Sequence, residues 1–184
     1  MILNPAKITR KSQAKYNQGV FKPLYPQKYR GKPGQPIIFR SGWEAEAFKW
    51  CDRNGNVLQW SSECTTIPYV DPCDNAHHVF FPDLWVRYRD SNGKMHDAII
   101  EVKPTSEVPA FAMARYKETG RKPSAARMTI LARNQAKFES AMKWCQMHGM
   151  EFKILTELDL KMPKTKMVTK SNMALVRGPG YGRY

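Results

Sequence analysis

The sequence predicts an α/β domain, a mixed central β-sheet flanked by helices, with an extended basic arm at each end. Three observations carry this. Between residues 41 and 160 the periodic segments run helix, three or four strands, helix, strand, an order that stacks helices on a sheet. Two of those strands alternate about a Ser91-Asn92-Gly93 loop and read as a hairpin. The charge is also segregated. The chain has 184 residues with 30 Lys+Arg against 16 Asp+Glu, a net of +14. Residues 1–42 hold nine basic residues and no acid, and 161–184 hold six and no acid. All 16 acids therefore lie in 43–160, where they outnumber the remaining bases by one. We read 1–40 as a Pro/Gly-rich basic arm, 41–160 as the folded domain and 161–184 as a basic tail.

With 42% hydrophobic and 11% aromatic residues the middle can bury a core. The apolar runs fall short of the ~18 residues of a membrane span. MILNPAKITRKSQAK lacks the apolar stretch of a secretory signal. Cys51, Cys64, Cys73 and Cys145 show no C-x-x-C pair and read as reduced thiols of an intracellular protein. Basic arms on a near-neutral body fit a polyanion, because neutralising phosphates releases counterions. Solubilising tails, or segments that order on a protein partner, are the competing reading. Arg30, Lys32 and Arg40 are the candidate DNA contacts. Tyr16, Phe21, Tyr25, Tyr29, Tyr181 and Tyr184 could stack on bases or anchor the arms to the body.

The first helix starts from Ser41 as N-cap, with Glu44 at N3 completing a capping box, and stops at Asn54-Gly55. Trp43, Ala47, Trp50 and Cys51 form its apolar arc, and Glu44 falls inside that arc. Extended runs follow at 57–60 and 64–70, then a loop, DPCDNAHH. The strands at 79–89 and 94–103 come next. A three-residue loop with Gly93 left-handed sets Asp90 opposite Lys94. One face then carries Leu84, Val86, Tyr88, Ala98, Ile100 and Val102. The other sets Asp83 opposite Glu101, Trp85 opposite Ile99 and Arg87 opposite Asp97, with Lys103 one step further on that face. A slip of one residue would mix the two faces. Helices follow over 107–119, limited by Pro109, and over 127–148, where Leu131, Phe138, Ala141, Met142 and Cys145 make a stripe ended by Gly149. A short strand at 152–156 closes the domain.

Glu101 and Lys103 leave the same strand face, and Asp83 arrives beside them from the neighbouring strand. Two carboxylates and a backbone carbonyl suit Mg²⁺ or Mn²⁺, a metal able to polarise a phosphodiester and activate water. Lys103 would orient that water or stabilise charge on the phosphate. Glu44 would complete the shell or hold a second ion, or act only as the capping partner of Ser41. Glu46 and Glu63 are its rivals. Cys64, Cys73, His77 and His78 are zinc-ligand types, but C-x8-C-x3-H-H lacks the short paired knuckles of a structural zinc site.

Glu44 on a helix, Pro82-Asp83 and Glu101-Val102-Lys103, followed by a helix and a strand, resemble the PD-(D/E)XK nuclease superfamily. Over roughly residues 20–160 the chain is similar to the head completion nucleases of contractile-tailed phages, most specifically in RSGWE and in the FPD and IEVKP pair. Those nucleases are related to the TnsA endonucleases, whose helix Glu, sheet Asp and strand Lys match Glu44, Asp83 and Lys103. The resemblance implies an αβββαβ core and Mg²⁺-dependent endonuclease action on double-stranded DNA. It further implies a role in readying filled phage heads for tail joining, with portal or neck proteins as partners. The place of action would be the virion head and neck, and the host cytoplasm during assembly. A neck protein that binds portal or packaged DNA with little free nuclease activity, and a transposon-end endonuclease subunit, are the alternatives. The tail after residue 160 lies outside the resemblance, and the oligomeric state stays open.

Overall fold

The computed structural model describes residues 18–63 and 65–160. The tail 161–184, residues 1–17, Tyr16, Tyr181, Tyr184 and Cys64 lie outside them.

A four-stranded mixed sheet forms the centre, as the element order predicts. Its strands are β3 (Val57–Ser62), β6 (Leu84–Arg89), β7 (Met95–Val102) and β8 (Glu151–Leu155), in that spatial order. β8 runs parallel to β7 and the other neighbours are antiparallel. The β6–β7 register sets Leu84 against Ile100 and Arg87 against Asp97, which is the pairing that sorts the two faces. Gly93 takes a φ of 82° and the Asp90 N–H reaches the Lys94 carbonyl at 2.9 Å, closing the hairpin through the left-handed residue.

One sheet face packs under helix α1 (Gly42–Arg53). Ala47, Phe48 and Cys51 meet Val57, Trp60, Leu84, Val86, Ala98 and Ile100 in a single buried cluster. Beyond the sheet come helix α2 (Pro109–Thr119), with Pro109 at its first turn and left-handed Gly120 at its end, and helix α3 (Ala125–Met147). α3 starts from Ser124, whose hydroxyl accepts the Arg127 N–H at 3.2 Å, and buries Leu131, Asn134, Phe138, Ala141 and Cys145. Cys51 and Cys145 are buried thiols that burial pushes up, Cys145 to about 11, so neither offers a thiolate at neutral pH. A short helix, α4 (Glu157–Leu160), follows β8.

Within the expected domain, two segments depart from the sequence expectation. The run 79–89 is two strands, not one, and AHH of the expected loop is strand. β5 (Ala76–Phe80) pairs with β4 (Ile67–Asp71) in a separate hairpin, and the chain breaks at Phe81-Pro82-Asp83 before β6. Pro82 has no N–H to give a ladder and is itself buried, so it ends one strand and lets the next join a different sheet. The hairpin packs Ile67, Tyr69 and Phe80 against Ala141 of α3, forming a second small core.

Residues 18–40 of the expected arm lie against the body. β1 (Gly19–Phe21) and β2 (Ile37–Phe39) pair antiparallel, and Ile37 joins the main core. Phe21 and Tyr29 contact the Trp60 ring at 5.8 and 4.8 Å between centroids. Buried Asp52 accepts the N–H groups of Leu24 and Tyr25 at 2.7 and 3.1 Å. The Lys28 ammonium caps the end of α1 through the carbonyls of Asp52 and Asn54 at 2.9 and 2.8 Å. For Phe21 and Tyr29, anchoring is what the fold uses.

Candidate functional site

The break before β6 and the end of β7 lie side by side, and the site forms where they meet. Asp83 stands at the break and turns one carboxylate oxygen onto the Val102 N–H at 2.7 Å. Its carbonyl accepts the Glu63 N–H at 3.1 Å, so the main chain holds it from two directions. Glu101 sits on β7 and is almost wholly buried, 3% exposed. Lys103 follows, its N–H held by the Leu155 carbonyl at 2.9 Å and its ammonium 3.0 Å from Glu101 Oε1. Lys103 continues the extended chain just past the end of β7, so its even spacing from Glu101 puts both on the same face.

The electrostatics of this group are unusual for a structural ion pair. Burial raises Asp83 well above the ordinary carboxylate range, and the charges of Glu101 and Glu44 push it further. Burial likewise raises Glu101, against the opposing pull of Lys103. Burial alone would lower Lys103, but Glu101 and Asp83 outweigh it and hold the ammonium charged. With both carboxyls ionised, buried Glu101 Oε2 has no hydrogen-bond donor among the described residues; in a metal-free site a proton held by Asp83 would bridge the pair. A buried carboxylate oxygen with no donor is costly, and beside a second buried carboxylate the cost rises. A divalent cation satisfies both oxygens and both charges at once, so the donor set fits a hard, oxygen-liganded ion.

Glu44 makes the cap that S-x-x-E predicts. Ser41 Oγ accepts the Glu44 N–H at 3.1 Å and donates to Glu44 Oε1 at 3.0 Å. Glu44 Oε2 accepts the Arg40 N–H at 2.9 Å, one residue earlier than in the usual capping box. Its charge nonetheless reaches Asp83 and helps to push that carboxyl up. The rivals point elsewhere: Glu46 pairs with Lys49 at 2.6 Å on the surface, and Glu63 pairs with Arg40. Glu63 directly follows β3 and takes a left-handed φ of 45°.

Of the candidate DNA contacts, Arg40 is thus engaged by Glu63 at the edge of the site. Arg30 is exposed and bonded to the Gln27 carbonyl at 2.7 Å, and Lys32 is exposed. Arg30 and Lys32 are not brought into the cluster.

A second acidic group lies on the β4–β5 hairpin. Ligand atoms of Asp71, Asp74 and His78 come within 4.8 Å of one another, a spacing compatible with a divalent metal. Its oxygens are already occupied. Asp71 accepts the Cys73 N–H at 2.9 Å and pairs with Arg133, and Asp74 accepts the Ala76 N–H at 3.0 Å and the His78 ring at 2.8 Å. His78 enters this group through Asp74, not through Cys73, whose thiol lies 3.8 Å from the Thr129 carbonyl. Residue pairing puts His77 opposite Val70 and His78 opposite Tyr69, on opposite faces of the hairpin.

Sequence reasoning missed Lys137. It sits on α3, with its ammonium 5.5 Å from the Tyr69 ring and 5.6 Å from the Phe80 ring, and its charge acts on both Glu101 and Lys103. At 100° per residue it falls at the edge of the Leu131–Ala141 stripe, which is the signal that could have found it.

A family model described as the TnsA-like endonuclease N-terminal domain matches residues 54–157, a span that includes Asp83, Glu101 and Lys103. The head completion nuclease of Enterobacteria phage T4 is 32% identical over 144 residues, which cover 78% of this chain and 93% of that relative. The mixed sheet between helices is the core expected of such nucleases. Matched over more than half its length, the chain belongs to the TnsA-like endonuclease family, alongside the phage head completion nuclease.

Proposed function

We propose that this protein is a metal-dependent DNA endonuclease that hydrolyses phosphodiester bonds of double-stranded DNA during phage head completion. The observation that carries the proposal is the unpartnered Oε2 of buried Glu101, set beside Asp83 with Lys103 on the other oxygen.

In this reading Asp83 and Glu101 hold Mg²⁺, or Mn²⁺ in its place, and Glu44, its oxygens held by Ser41 and Arg40, serves as an outer partner that adds negative charge beside them. The ion, when bound, polarises a phosphodiester oxygen and lowers the pKa of a bound water. Lys103 keeps its proton because two carboxylates face it, so it acts as a fixed positive charge toward the phosphate where negative charge develops. Val102 fixes Asp83 through its N–H, so the carboxylate is oriented before substrate arrives. The Glu44 carboxylate is fixed by Arg40 and Ser41 in the same way. Arg40 meets the DNA backbone at the edge of the site, and Lys32 and Arg30 meet it outside the cluster. The basic tail 161–184 and the N-terminal arm add sequence-independent affinity or dock to portal and neck proteins, which would place the protein at the virion neck after assembly in the host cytoplasm.

The test is cleavage of supercoiled plasmid by the purified chain with Mg²⁺, Mn²⁺ or EDTA, beside Asp83→Ala and Lys103→Ala. Metal-dependent nicking or linearisation that both variants lose is the expected result. A folded wild type that binds DNA and leaves it intact in either metal would overturn the enzyme and favour a structural neck protein.

A further inference from the structure

We propose that Lys137 is a second phosphate-contacting residue of this site, one that takes a DNA backbone phosphate next to the Asp83, Glu101 and Lys103 cluster. The inference rests on the nuclease reading and names a contact that the reading does not supply.

The other ordered cations around the site have acidic partners. Lys103 is bonded to Glu101, Arg133 to Asp71 and Arg40 to Glu63. Lys137, one helical turn beyond Arg133, has neither a hydrogen bond nor an ion pair among the described residues. Its ammonium instead lies near the buried rings of Tyr69 and Phe80. Ring faces attract a cation but accept none of its three N–H donors. The side chain is half-buried, so water serves those donors poorly. Glu101 and Lys137 feel each other's charge but form no ion pair, and the ion pair of Glu101 is with Lys103. The helix therefore holds a desolvated positive charge within electrostatic reach of the carboxylate cluster, with its donors unspent. A phosphate is the anion that a nuclease brings to this place, and an ammonium binds phosphate as a point charge. The rings act as a rest that keeps the long side chain extended until that anion arrives.

The alternative is purely structural: Lys137 covers the β4–β5 hairpin with its aliphatic stem and softens the charge on Glu101. Lys137→Met keeps the stem and removes the donors. Lys137→Arg keeps the charge, and Lys143→Met alters an exposed lysine on the same helix as a control. Full-length proteins are titrated with a short duplex in Ca²⁺ over a salt series. They are then tested against duplexes carrying one neutral methylphosphonate at successive positions. The expected result is a log K against log salt slope shallower by about 0.9 in Lys137→Met, the loss of one phosphate contact, with Lys137→Arg and Lys143→Met at the wild-type slope. One methylphosphonate position should weaken wild type and leave Lys137→Met unaffected, and single-turnover cleavage in Mg²⁺ should fall about 100-fold in Lys137→Met.

An unchanged slope together with wild-type sensitivity at every methylphosphonate position would overturn the inference, even if cleavage fell. Should Lys137→Met fail to fold, Lys137→Gln is judged by the same two binding criteria. A wild type that binds and does not cleave defeats the nuclease reading, while the binding measurements still decide for or against Lys137.

Discussion

Asp83 and Asp71 are both aspartates next to a proline, at the edge of a strand, with a basic side chain nearby. The fold treats them in opposite ways. Asp71 has a backbone N–H on one oxygen and Arg133 on the other, and although burial alone would raise it, those partners bring it down to about 2. Asp83 has one N–H and two acidic neighbours, and burial with their charge drives it upward. Asp71 therefore belongs to a satisfied turn, with Asp74 and His78 closing the same hairpin. Asp83 belongs to a group of converging carboxylates of the kind a cation would complete. The number of carboxylates in a cluster says little about chemistry; what matters is whether their oxygens already have donors.

The largest effect that tests this contrast is on cleavage. Glu101→Gln or Lys103→Met should lower plasmid cleavage by about 10²–10³-fold, the scale of losing a fixed charge in a nuclease site. Asp71→Asn should leave it within a few-fold, measured by single-turnover kinetics at equal folded protein. A smaller loss is expected for Glu44→Gln, about 10–100-fold, the scale of disturbing an outer partner of a metal site. Its Ser41 cap should survive, read as an unchanged helical circular dichroism signal.

Stability should move the other way from activity. In EDTA at neutral pH, Asp83→Asn should raise the melting temperature and Asp71→Asn should lower it, each by several degrees in a thermal melt. The pH dependence follows from the directions of the two shifts. Asp83 binds its proton more tightly when folded, so metal-free wild type loses stability as pH rises from the ordinary carboxylate range through the raised value. Asp71 binds its proton less tightly when folded, so its contribution is present above the ordinary range and is lost as pH falls toward about 2. Asp83→Asn should flatten the first limb and Asp71→Asn the second. The smallest effect belongs to the exposed pair of Arg40 and Glu63. Glu63→Gln should change stability by less than about 0.5 kcal/mol in urea unfolding.

Much of the site was legible because strand parity is rigid. Once the Ser91-Asn92-Gly93 loop set the register, Leu84, Val86, Tyr88, Ala98, Ile100 and Val102 sorted to one face, and Asp83, Glu101 and Lys103 had to share the other with Trp85 and Ile99. Glu44 was legible as a cap because S-x-x-E is a local signal, but its action on Asp83 depends on where α1 docks. The break at Pro82 was missed because 79–89 reads as one β-favouring run, and only the packing of Tyr69 and Phe80 on α3 shows why β5 leaves the central sheet. β1 and β2 were missed because three-residue strands carry too little alternation to stand out in a Pro/Gly-rich segment. Lys137 escaped because a lysine at the edge of a helical stripe looks like any solvated one until the hairpin rings are in place.

The most direct test of the central claim is calorimetric titration of Mn²⁺ into the metal-free protein, comparing wild type with Asp83→Asn and Asp71→Asn. Binding by wild type and Asp71→Asn, lost in Asp83→Asn, is the predicted result. Binding retained by Asp83→Asn and lost in Asp71→Asn would contradict it, and would move the metal centre to the hairpin.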